Sequence, residues 1–168
     1  ADWATRWGAA PGSGLLGGMG RLDGIPGVLI HGRRDVSGPA LTAFELIART
    51  PYDFTLRHGA GVTRPLADDW PWYVLMQVSS GRSAEDARAL IEDILSEGLE
   101  KGLADDAVIA ASLSQADAFW NFRETLPETQ KAEGASIKHD ISVPIATIPT
   151  FIARAAKAVA SVSAGARI

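Results

Sequence analysis

The sequence predicts an α+β fold, a ferredoxin-like two-layer sandwich with a glycine-rich N-terminal extension. Three observations predict it. Beyond Pro71, strand-like and helix-like stretches alternate along the chain. The strand-like stretches are short and amphipathic, which leaves one face for helices and the other for a partner or solvent. At the start, Gly8, Gly12, Gly14, Gly17, Gly18 and Gly20 crowd a stretch without hydrophobic period. The same element order also suits a parallel doubly wound sheet; the amphipathic strands favour the sandwich.

Bulk composition narrows the function classes. With 168 residues the chain holds one domain, or one domain and a fragment. It is 46% hydrophobic and 21% charged, the balance of an ordered globular protein. A net charge of -4 without a basic cluster argues against nucleic-acid binding. The absence of cysteine excludes a disulfide framework, a cysteine zinc site and a thiol nucleophile, and is compatible with the expected cytoplasmic location. No apolar run approaches the ~20 residues of a membrane span. The N-terminus lacks the charged-then-apolar order of a signal peptide. It starts at Ala1 rather than Met, as a processed chain or a fragment would.

The elements follow in order. Residues 1–20 are expected to form loop or disorder, because glycine loses the most backbone entropy on ordering. Gly27-Val28-Leu29-Ile30-His31-Gly32 reads as a short buried parallel strand closed by a glycine turn. Pro39 then suits the first turn of a helix over Ala40 to Ala48, with Leu41, Phe44, Ile47 and Ala48 at helical spacing. Pro51 ends that helix or starts a second short one. His58 to Pro71 is a loop by its glycines and prolines. Trp72 to Val78 is a strand by its β-branched and aromatic content.

Ser83 caps the next helix, with Asp86 in the acidic capping position and Ala87, Leu90, Ile91, Ile94 and Leu95 on one face. Ala107 to Ala111 is a further strand. Ser114 caps a helix carrying Phe119, Trp120 and Phe122. Ser136 to Val143 alternates as a strand would and stops at Pro144. A last helix spans Ile148 to Val162, and Ala166-Arg167-Ile168 opens another strand.

Arg123 and Lys138 are the candidate binding residues. A planar guanidinium fork and an ammonium point charge converging on one pocket would suit a carboxylate. On charge alone, a plainer arrangement serves as well: Arg123 paired with Glu124 or Asp117, and Lys138 in solvent. Their surroundings tilt the choice. Phe119-Trp120-Asn121-Phe122-Arg123-Glu124, Gly134, Ile137-Lys138-His139-Asp140-Ile141-Ser142-Val143-Pro144 and Ile148-Pro149-x-Phe151 resemble the C-terminal domain of FAD-linked oxidases. That family includes D-lactate dehydrogenases, the glycolate oxidase flavin subunit and D-2-hydroxyglutarate dehydrogenase. The pattern W-x-x-R-E followed by K-x-D-x-S-x-P is specific. Leu41-Thr42-Ala43-Phe44-Glu45-Leu46 and Pro71-Trp72-Tyr73-Val74-Leu75 are similar to the same family. The resemblance covers residues 39–168.

The resemblance implies that Arg123 and Lys138 contact oxygens of a small 2-hydroxy acid, with His139 and Trp120 lining the site. Where some members place a threonine contact, one helical turn after the arginine, this chain has Pro127, which argues against D-2-hydroxyglutarate-like specificity. The resemblance also implies FAD, held by the family on an N-terminal domain that this sequence does not contain. It places the family's metal ligands beyond Ile168. The chain is accordingly expected to be incomplete and inactive alone, with a flavin-binding half or a second copy as partner. No catalytic residue is identified.

Residues 1–38 stand apart. Leu22 to Asp35, ending at Pro39, looks like the strand and turn that deliver the triad aspartate in α/β-hydrolases of the proline iminopeptidase type. Asp35 would be that acid. A G-x-S-x-G elbow is absent, so a turn role for Asp35 is the simpler reading. Two unlike segments meeting near Ser37 to Leu41 suggest a chimeric gene product. The alternatives to a dehydrogenase part are thus a non-catalytic orphan module and, weakest, a hydrolase remnant.

Overall fold

The computed structural model describes residues 28–32 and 39–168. Of these, residues 28–32 and 39–136 form one compact unit. Its elements are β1 (Val28–Gly32), β2 (Ala40–Ala48), α1 (Arg49–His58), β3 (Trp72–Ser79), α2 (Ala84–Glu100), β4 (Ala107–Ile109) and α3 (Leu113–Thr129), followed by a 3-10 turn, Gln130–Glu133. Ile137–Ile168 belong to a second unit. They hold a 3-10 turn, Ile145–Thr147, and α4 (Ile148–Val162).

β3 lies inside the sheet, whose order is β2-β3-β1-β4. β2 pairs with it antiparallel. β1 runs parallel to both β3 and β4. The α+β class is therefore observed. β3, α2 and β4 make a split β-α-β unit with one strand between its two parallel strands. A ferredoxin-like sheet has an antiparallel strand at that place, whereas β1 runs parallel.

β3 also departs from the expected half-open sheet. Tyr73 and Leu75 on one side, and Val74, Met76 and Val78 on the other, are all buried. Tyr73 joins Ile47, Tyr52, Leu66 and Phe122 in one core cluster, and Leu75 joins Phe119. Thus α1 and α3 cover the first side. α2 packs on β3 and β1 and buries Ala87, Ile91, Ile94 and Leu95, which leaves it the opposite side. Two layers give way to helices on both sides of β3.

The aromatic stack fixes the first layer. The Tyr52 and Tyr73 rings lie 3.7 Å apart and nearly parallel, and Phe122 meets Tyr52 at 4.7 Å. The Thr55 and Thr129 hydroxyls, 3.1 Å apart, join α1 to α3. Tyr73 Oη accepts from the Trp70 backbone N–H at 3.0 Å. Burial pushes the Tyr52 phenol well above its usual range, with Tyr73 adding to the effect.

Several segments differ from the sequence expectation. Ala40–Ala48 is a strand rather than a helix. A bulge lies between Leu41 and Ala43, so Leu41 opposite Val78 and Phe44 opposite Met76 share a face although they are three apart. The extra residue thereby imitates helical spacing. Pro39 consequently precedes a strand, while Pro51 sits in the first turn of α1. Ser136–Val143 has no regular structure, although its residues alternate. Alternation makes a strand only where a neighbour supplies ladder partners, and among the described residues of its unit there is none. Residues 166–168 are likewise irregular.

The cap of α3 is Ser112, whose Oγ accepts from the Gln115 N–H at 3.2 Å, and Ser114 lies inside the helix. Ser83 caps α2 as expected, accepting from the Asp86 N–H at 3.1 Å. α4 spans the expected residues. The window Ile145–Val162 reaches 18 residues, long and apolar enough for a span by length and composition alone, yet it carries Arg154 and Lys157. The glycine-rich start and Asp35 lie outside the described residues.

Candidate functional site

α3 sets Arg123 at the rim of the core. The helix buries Ala116, Phe119 and Phe122 along one stripe, and the residue after Phe122 turns from that stripe toward solvent. The Arg123 side chain is 38% exposed, and its Nη2 donates to Glu45 Oε2 at 3.2 Å. Glu45 comes from β2. It stands opposite Leu75 and, by alternation, on the face of Ile47, the face covered by α1 and α3. The pair joins residues 78 apart in sequence. An ion pair this exposed contributes about 0–1 kcal/mol; its larger effect is to hold the guanidinium in one orientation.

Neither Glu124 nor Asp117 is the observed partner of Arg123. Glu45 was not singled out from the sequence, although a lone carboxylate in the apolar run Leu41–Ile47 was the available signal, since such a charge is rarely covered without a partner. Trp120 is half-buried against Leu75 and Phe119 and forms an apolar wall on α3. Pro127 follows within the helix. It has no N–H to return to the Arg123 carbonyl one turn back, so the helix is weakened just after the arginine.

Lys138 and His139 lie in the other unit, both exposed in the irregular stretch of residues 134–144. Arg123 and Lys138 are thus carried by different units. Among the described residues no group of His, Cys, Asp and Glu could hold a metal ion.

Among the described residues the strand-to-helix turn does not form a Rossmann-type phosphate cradle for FAD. A Rossmann-type dinucleotide site holds the pyrophosphate on a glycine-rich turn between strand and helix. The turn between β3 and α2, Ser80-Gly81-Arg82-Ser83, has one glycine. Asp86 fills its mouth, accepting from Ser80 Oγ at 2.6 Å, and Ser80 and Ser83 take the Arg82 and Asp86 amides. A carboxylate therefore stands where a phosphate bound in that manner would enter.

The family model of FAD linked oxidases, C-terminal domain, matches residues 33–165. This chain belongs to that family. A mitochondrial D-2-hydroxyglutarate dehydrogenase of Arabidopsis thaliana is 35% identical over 125 residues, 74% of this chain and 22% of the relative. A D-2-hydroxyglutarate dehydrogenase of Xanthomonas citri pv. viticola is 34% identical over 113 residues, 67% of this chain and 23% of the relative. A mitochondrial protein of Schizosaccharomyces pombe, named as a D-lactate dehydrogenase, is 34% identical over 109 residues, 62% of this chain and 20% of the relative. The chain thus spans about a fifth of the length of these curated relatives.

Proposed function

We propose that this chain is the substrate-carboxylate-binding part of an FAD-dependent D-2-hydroxyacid dehydrogenase of D-lactate or glycolate type. The observation that carries the reading is the Arg123 guanidinium, half-exposed beside Trp120 and held from one side by Glu45. A guanidinium has five N–H donors. One is given to Glu45, so the fork can still receive a carboxylate. Lys138 supplies the second contact and His139 lines the site in this reading. Pro127, which has no hydroxyl, favours a short monocarboxylate over a 2-hydroxydicarboxylate. FAD, held by other residues, supplies the hydride chemistry, and this chain supplies orientation and charge. The cytoplasm is the compartment proposed with it.

The test joins the chain to a flavin-binding part of its family and measures D-lactate turnover. Arg123→Ala and Lys138→Ala should each raise KM roughly tenfold or more, the effect of losing a charged hydrogen bond of about 1.5 kcal/mol. Unchanged KM and kcat in both variants would sink the assignment.

A non-catalytic module is the second reading. It is favoured by the position of β1, a strand outside the family match that closes the sheet. Calorimetric titration of the chain with D-lactate separates the two: heat of binding that Arg123→Ala abolishes supports the first, and self-association without binding supports the second.

A further inference from the structure

The split β-α-β unit of β3, α2 and β4 contains a gap one strand wide. β3 and β4 are parallel, and neither pairs with the other. Two ladder spacings separate them, about 9.5 Å. Within the family match, residues 33–165, the described strands do not fill this gap, because β2 occupies the far edge of β3. Left open, the gap would bury two facing rows of backbone N–H and C=O groups without partners.

Val28–Gly32 fills it, and these residues precede the match. The ladder with β3 runs the whole length of β1, from Val28 opposite Val74 to Gly32 opposite Val78. On the other side Val28, Leu29 and Ile30 stand opposite Ala107, Val108 and Ile109. The sequence suits the place. Val28-Leu29-Ile30 is a continuous apolar run, the composition of a strand covered on both faces, and its neighbour β3 is buried on both.

We infer that the β3–β4 gap is a strand-receiving site, and that Val28–Gly32, a segment from outside the family match, is its occupant in this chain. The recognition is β-augmentation: backbone hydrogen bonds give affinity, and apolar residues at three successive positions give selectivity. The segment that resembles a hydrolase strand thereby has a structural task independent of any hydrolase chemistry. The site would accept a parallel apolar strand of similar length supplied in trans whenever β1 is withdrawn.

The lack of cysteine makes the test clean. In the full chain, Ile30→Cys with Ile109→Cys should form an intrachain disulfide on mild oxidation, since neighbouring strands meet the Cα separation required. Ile30→Cys with Ala107→Cys, one pleat out of register, should not. Linkage in neither pair, linkage only in the second, or linkage only between chains in a dimer would each overturn the inference. Leu29→Pro removes a ladder N–H. It should lower amide exchange protection at Val108 and Ile109 by about tenfold or more, and a synthetic peptide of residues 25–34 should restore it. Unchanged protection, or no restoration by saturating peptide, would count against a strand-receiving site. Should Leu29→Pro fail to fold, the cysteine pairs still decide.

Discussion

α3 and the stretch of residues 134–144 each carry one cation of the family motif, and the chain supports them differently. Arg123 follows a residue that is 1% exposed, on a helix capped by Ser112, and Glu45 reaches it from another element. Lys138 sits between Ile137, 86% exposed, and His139, also exposed, in backbone without a ladder or helix. Core packing therefore fixes the first cation, while the second stands on an exposed, irregular stretch. The two cations are thus set on unlike backbone, one on a packed helix and one on an exposed irregular stretch.

Removing the support of the packed helix should break this contrast. Phe122→Ala empties a position in contact with Tyr52 and should cost about 3–5 kcal/mol of stability. Urea unfolding followed by Trp fluorescence would show it, and a loss below about 1 kcal/mol would mean that α3 is not anchored as described. At the other end of the scale, Lys138→Ala should change stability by no more than about 0.5 kcal/mol, as exposed positions do. A larger shift of the urea midpoint would show the lysine stretch to be held as firmly as α3.

What was legible in the sequence follows the same division. α2 and α4 were readable because one helical period runs through each, β3 because of its β-branched and aromatic content, and the Ser83 cap stands where its amide partner demands. The arginine was readable from its aromatic neighbours and motif. Its partner was not, because Glu45 reaches Arg123 only through the pairing of β2 with β3, and β2 itself reads as a helix. The stretch around Lys138 has the alternation of a strand, but alternation carries no information about whether a neighbouring edge exists. The position of β1 between β3 and β4 was equally hidden, since a parallel strand can be inserted from any distance along the chain.

The bulge in β2 has a bearing on how this sequence can change length. Thr42 is the unpaired residue, its Oγ1 donating to the Gln77 carbonyl at 3.2 Å. It is the place where a codon can be lost while every other side chain of the strand keeps its side. Loss of Leu46 would instead turn Glu45 over, away from Arg123, because side chains alternate. Thermal melts of the two deletions would separate them, a folded chain lacking Thr42 against an unfolded or misregistered one lacking Leu46. That one residue gives the strand room for a deletion that the alternation of its other side chains opposes.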